Sequence, residues 1–496
     1  MRLRSSQLAL LFPVLVLLAS AAVVDCVGVG GGTHAADAQT MTLQRGRAFE
    51  QPRVLRSHRG RLRTTFRVEE HPVTVAGRQV RGKSYDGEFI GPTLRVLPGD
   101  TLEIRLMNHL AETTNLHLHG FHVSPAGISD NVLRPMPSGS DNLVRVRLPR
   151  SLSPGTYWYH AHMHGLVEEQ ISSGLAGVIV VDGLRQRLPR ALRRVPERVI
   201  ALKDLQVRNG RIATKIIESV PIIRTVNGLV DPVLQVRTNQ AQLLRLANIS
   251  ADGWYRLRLD GTSFTVIAED GQPAGRVWAD DELILPPGKR YDALVRWRQP
   301  GTYRLRTLRY RSGPSGDAFP ERRLATAHVS GTPAPDVAWP RSLGSRPRLE
   351  RAPITRVRYL TFSENNAKGR FFINRRTFDP GRVDEVVQLG STEEWVLRNV
   401  TREQHPFHLH VNAFQVISVN GRRYPARGLQ DTVILPGKGV VRIRMRFADF
   451  VGTTVYHCHI AEHEDGGMMG VLEITRTGRR PQGAGTTRRH SHGVGP

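Results

Sequence analysis

Thiols are nearly absent from this chain: 496 residues hold two cysteines, Cys26 and Cys458. With Cys26 in a glycine-rich leader, no disulfide framework is available, and Cys458 stands alone between His457 and His459. Lysine is scarce as well, supplying only six of the 70 basic residues, and methionine numbers eight. After the N-terminal segment no apolar run approaches the roughly 20 residues needed to cross a bilayer. Long amphipathic helices are also missing. Instead 47 glycines and 31 prolines punctuate short alternating runs such as Leu143-Val144-Arg145-Val146-Arg147-Leu148, the pattern of strands and turns. The expected class is all-β.

The start, MRLRSSQLALLFPVLVLLASAAVV, joins a basic beginning to a short apolar stretch with small residues near positions 21 and 38. That is the layout of a cleaved secretory signal over 1–38. It implies export to a periplasmic, extracellular or cell-surface location with no transmembrane segment left behind. There is no twin arginine, and Val23-Val24-Asp25 before Cys26 does not suit a lipoprotein cleavage box. The net charge of +26 is spread along the chain, often at alternate strand positions as in Arg304-Leu305-Arg306 and Arg442-Ile443-Arg444. Such spacing marks the solvent faces of half-buried strands and argues against a nucleic-acid surface. Weak binding to anionic surface polymers is the partner class that this charge leaves open.

Residues 39–64 are polar, arginine-rich and without period, and are expected to form a flexible arm. A unit then recurs. Paired strands end in an asparagine at Asn108, Asn248 and Asn399, spaced by about 140 and about 150 residues, and each copy closes alike: GTYWYH from Gly155, GTYRLR from Gly301, GTTVYH from Gly452. Three homologous β-sandwich domains follow, at 65–182, 190–335 and 350–476, with a disordered basic tail over 477–496. Where copies one and three carry histidines, copy two has WYRLRLDG and YRLRTLRY. Metal chemistry is therefore expected between the first and third domains, with the middle one as a spacer or wall.

In a strand, His457 and His459 share one face and Cys458 points to the other, so one cysteine separates two sites. A thiolate with imidazoles and a weak thioether is a blue-copper ligand set, and His463 and Met468 follow Cys458 at short spacing. Four clusters, HLH (117, 119), HAH (160, 162), HPFHLH (405, 408, 410) and HCHIAEHEDGGM (457 to 468), resemble the multicopper oxidase family over residues 65 to 476. Zinc is the rival metal, although a closed zinc site takes four ligands and this set divides into a cysteine site and an eight-histidine site.

The resemblance implies three cupredoxin-like Greek-key domains and four coppers. It implies His405, Cys458 and His463 with axial Met468 at a type 1 copper, and His117 with His408 at a type 2 copper. The type 3 pair would take His119, His160 and His459 on one ion and His162, His410 and His457 on the other. The implied partners are O2, reduced to water, and a small reductant: a phenol, an aromatic amine or a metal ion. Asp130 and Glu464 resemble the family's proton-donating acids, while a turn and a surface loop are their plainer readings. His122 and His164 match no ligand position. Cuprous oxidases of the family carry a methionine-rich insertion and an Asp-x-Met before the third motif, where this chain has Thr401-Arg402-Glu403-Gln404. That difference favours a laccase-like donor over Cu(I). A redox-silent relative would have lost ligands, and a simple electron carrier would need the type 1 set alone.

Overall fold

The computed structural model describes residues 43–479 apart from 218, 346 and 347. The signal region and most of the tail lie outside the described residues. The alternation in the sequence becomes strands whose buried positions recur with period two: Arg61–Val75 turns Leu62, Phe66 and Val68 into the first core, and after a change of phase buries Val73 and Val75. Each third of the chain builds a five-stranded and a six-stranded sheet with its own core between them.

The three copies share a register of parallel pairs. Arg61–Val75 lies parallel to Thr101–Asn108, Glu197–Leu205 to Gln242–Asn248, and Arg356–Asn365 to Thr392–Asn399. The landmark asparagines have a common job at the ends of these pairs. Asn108 Nδ2 donates to the carbonyls of Glu112 and Met136, Asn248 Nδ2 to Gly253 and Leu285, Asn399 Nδ2 to Glu403 and Leu435, while each Oδ1 accepts the amide two residues on. Each thus pins the bend that leads into the motif strand. In the third domain that bend delivers His405.

The segment expected as a flexible arm is ordered from residue 43. Val54–Arg56 pairs parallel to Gly91–Val96, and the strand from Arg61 already lies on Thr101. Arg45 and Ala48 bridge to Val230 and Val233, and Phe49 packs on the middle core. A three-residue edge strand is held by backbone hydrogen bonds and needs only Leu55 as an apolar contact, so no side-chain period announces it. The hairpin of Val207–Arg208 and Arg211–Ile212 likewise joins the first domain's sheet at Arg81. Among the described residues no helix is long and apolar enough to cross a membrane.

Candidate metal centre

Two equivalent ladders carry the histidines. In the first domain His117–His119 lies antiparallel to Gly155–His160 with His117 opposite His160; in the third, His405–Leu409 lies antiparallel to Gly452–Cys458 with His408 opposite His457. The ladders face each other across the domain boundary. His117 stacks on His410 with ring centres 3.9 Å apart, and His119 stacks on His408 at 3.7 Å. This is a local pseudo-twofold: exchanging 117 with 408, 119 with 410, 160 with 457 and 162 with 459 returns the same contacts. It accounts for how eight histidines divide. His119, His160 and His459 form one group and His162, His410 and His457 its symmetry mate, each with ligand atoms within 4.8 Å of one another. His117 and His408 exchange with each other and close a further group with His119.

The donor atoms converge on one another. His162 Nε2 and His410 Nε2 lie 3.2 and 3.1 Å from His457 Nε2, and His459 Nε2 lies 3.2 Å from His119 Nδ1. The Nε2 atoms of His117, His160 and His408 are buried and accept no hydrogen bond. Burial holds all eight rings below the ordinary imidazole range, with His162 and His457 down to about 4, so they face one another as neutral lone-pair donors. Convergent lone pairs repel unless a cation lies between them, and imidazole nitrogens suit copper. The residues fit the metal that the sequence pattern implies.

Several polar groups grip the outer nitrogens. His117 Nδ1 lies 3.1 Å from Asp130 Oδ1, which also accepts the Leu118 amide. His160 Nδ1 reaches the Ala161 carbonyl and His408 Nδ1 the Asp431 carbonyl, both at 2.8 Å. Glu464 spans one three-histidine group, 3.3 Å from His162 Nδ1 and 2.9 Å from His457 Nδ1. Burial pushes the Asp130 carboxyl up to about 8 and that of Glu464 up to about 7.

On the other face of the cysteine strand, His405 Nδ1 and His463 Nδ1 lie 3.6 and 3.7 Å from Cys458 Sγ and 3.2 Å from each other. Met468, fully buried, donates its amide to the His463 carbonyl and accepts the Cys458 amide. Burial pushes the Cys458 thiol up, so ionising it requires a cation in contact. Thr401 Oγ1 meets His405 Nε2 at 2.9 Å, Phe371 stacks on the His463 ring, and the carboxylates Glu364 and Glu403 lie 3.6 and 3.8 Å from His405 Nε2 and His463 Nε2.

The structure brings all ten motif histidines into the four groups of converging ligand atoms. His122 instead bonds the Val411 carbonyl and Asp449, and His164 packs on Phe378. What the motifs did not give is Asp431 and the middle domain's share. Asp431 Oδ1 lies 3.2 Å from His119 Nε2 and is held by Arg290 of the middle domain. The middle copy is therefore more than a spacer; its lack of histidines hid residues that act through charge. No motif spacing marks Arg290, because Asp431, the partner that gives it a role, lies 141 positions on in another domain.

Sequence models described as multicopper oxidase match residues 67–186, 154–331 and 351–477. A laccase of Bacillus subtilis (strain 168) is 26% identical, covering 79% of this chain and 90% of its own. The cell division protein FtsP of Edwardsiella tarda (strain FL6-60) is 28% identical, covering 78% and 84%. Among solved structures, a multicopper oxidase from Campylobacter jejuni described as a metallo-oxidase superposes with a TM-score of 0.76 at 27% identity, covering 87% of this chain and 96% of its own. Three matched domains, all four motif clusters and their convergence on two buried sites lead to one assignment: the chain belongs to the multicopper oxidase family.

Proposed function

We propose that this protein is an exported, laccase-like oxidase that takes single electrons from phenols or aromatic amines and uses four of them to reduce O2 to two waters. The observation that carries the reading is the completeness of the donor set: four groups of buried ligand atoms, one of them containing the sole thiol of the described residues. His405, Cys458 and His463 with axial Met468 would hold a type 1 copper, and His117 with His408 a type 2 copper. His119, His160 and His459 would hold one member of a type 3 pair, and His162, His410 and His457 the other. Copper so bound supplies one-electron redox chemistry at the first site and binding and reduction of O2 at the second.

The chain's own residues do the rest. Cys458 is covalently continuous with His457 and His459, so its backbone is the short path between the two sites. Glu464, in contact with His162 and His457, is sited to give protons to reduced oxygen and to be refilled, with Asp130 beside His117 as the second acid. Export rests on the basic, apolar start of the chain.

A second reading, oxidation of a metal ion, has one observation in its favour. Glu403 and Glu364 flank the outer edges of both type 1 imidazoles, which suits a cationic donor even though methionine is scarce. Rates kcat/KM for aromatic donors, Cu(I) and Mn(II) decide between the two. The oxidase reading itself is tested by metal analysis with electron paramagnetic resonance of protein refolded with copper. About four coppers with both type 1 and type 2 signatures are expected; one copper, or tightly held zinc, overturns it.

A further inference from the structure

Among the rings of the two three-histidine groups, the pseudo-twofold breaks in ring orientation at His119 and His410. His410 turns Nε2 toward its group, and its Nδ1 is buried without a hydrogen bond. Its mate His119 is turned the other way: Nδ1 faces His459 Nε2 at 3.2 Å, and Nε2 faces the Asp431 carboxylate. That carboxylate is held from the middle domain. Arg290, fully buried, forms a two-pronged pair with Asp431, Nη1 to Oδ1 at 2.8 Å and Nη2 to Oδ2 at 2.6 Å. Two further N–H groups go to the Gly288 and Thr156 carbonyls, so the guanidinium is tied to all three domains at once.

The fit leaves no slack. A Cβ at Gly288 would lie 2.9 Å from the His459 ring and 3.1 Å from His119, and one at Gly120 would lie 2.5 Å from Arg290 Nη2 and 2.6 Å from Asp431 Oδ2. Both glycines adopt positive φ, 82° and 87°, so the sequence places the one residue type that allows this approach.

We infer that Arg290 is a positioning residue of the trinuclear centre: acting through Asp431, it fixes His119 with Nε2 protonated and Nδ1 directed inward. A carboxylate oxygen at Nε2 demands a hydrogen there, and neutral imidazole then has its lone pair at Nδ1. Without the planar fork that holds both oxygens at once, Asp431 would keep, His119 aside, only the Thr432 Oγ1 hydrogen bond to Oδ1, a single contact that leaves its plane unset. A lysine offers charge at one point and no fork.

This rests on the proposed copper sites, and the test separates the two. Parent, Arg290→Lys and Arg290→Gln are each loaded with copper, dialysed against a weak chelator, and examined for copper content, type 1 absorption and the type 2 resonance signal. The parent keeping its full complement upholds the oxidase reading; a parent without trinuclear copper removes that reading and this inference together. With the parent intact, Arg290→Lys is expected to keep its blue absorption, shift the type 2 signal and lose trinuclear copper about tenfold more readily, with Arg290→Gln more severe. If Arg290→Gln does not fold, Arg290→Lys decides alone. Parental copper retention and signal in the lysine variant overturn the inference, as does loss shared equally by the type 1 and trinuclear sites, which would mark a purely structural pair.

Discussion

Glu464 and Met468 follow Cys458 by six and ten residues, yet they serve different sites. The Glu464 carboxyl reaches the Nδ1 atoms of two histidines of the oxygen side and is completely buried. Replacing it with glutamine keeps a hydrogen-bonding group and removes the ionisable proton. Reoxidation of the reduced enzyme by O2 should then slow by about 10²-fold, the usual worth of a general acid, while anaerobic reduction of the blue site keeps its parental rate. Stopped-flow measurement of both half-reactions checks this, and parental rates in both would shift the proton role to Asp130. Met468 is bracketed by backbone bonds to His463 and Cys458, which brings its side chain to the type 1 side. Met468→Leu should raise the type 1 reduction potential, because losing a weak axial donor favours the reduced ion. A redox titration showing an unchanged or lower potential would point to Met469 instead.

Two short helices lock the ligand loop to the other domains. The first, α1 (Val167–Ser173), follows the HAH motif and has no capping side chain of its own; the second, α2 (Ala461–Asp465), carries His463 and Glu464. Asp465 of α2 accepts the amides of Gly165, Val167 and Glu168, capping α1 across the domain boundary. At its other end α2 donates the Ala461 and Glu462 amides to Ala251 and Asp252 of the middle domain. Loss of such a cap costs about 1 kcal/mol. Asp465→Ala should therefore lower the unfolding midpoint modestly and broaden the type 1 signal, since the loop holding His463 loses an anchor; a calorimetric scan and a spectrum of the same sample read both.

At this scale the sequence was an uneven guide. Strands with a buried face, such as Arg61–Val75, were legible because half-burial writes a period of two. The edge strand Val54–Arg56 and the hairpin at 207–212 were not, because backbone pairing at a sheet edge leaves no side-chain signature. The histidine ligands were legible for a related reason: HLH, HAH and HCH place both members on one face whatever the tertiary context. Asp431 and Arg290 carry no such spacing. They lie 141 positions apart and meet only when the middle domain packs on the third.

The molecule as a whole is held together by buried charge as well as by its three cores. Glu197 at the entrance to the middle domain pairs with Arg95 of the first domain, with Arg185, and with the fully buried Arg245, which in turn reaches Asp292 beside Thr156. Burial alone would raise the Glu197 carboxyl, but Arg245 and Arg95 draw it down to about 2. Being depressed in the folded state, it contributes stability that is present above the ordinary carboxyl range near 4.5 and is lost as pH falls toward 2. Glu197→Gln should cost roughly 3 kcal/mol at neutral pH, as expected for one partner removed from a buried pair. The gap between parent and variant in denaturant unfolding should close as pH is lowered through that window. A gap that stays constant with pH would mean that packing, and not charge, is what the substitution removes.

Most of the functional account comes down to whether electrons collected one at a time at Cys458's site leave four at a time at the eight histidines. Oxygen uptake by the copper-loaded protein, recorded together with oxidation of a one-electron aromatic donor, measures that ratio. The account predicts one O2 consumed for every four donor molecules oxidised, no accumulation of hydrogen peroxide, and no uptake by Cys458→Ser although its eight histidines are intact. Donor oxidation without oxygen uptake, a two-to-one ratio with peroxide released, or parental turnover by Cys458→Ser would contradict it.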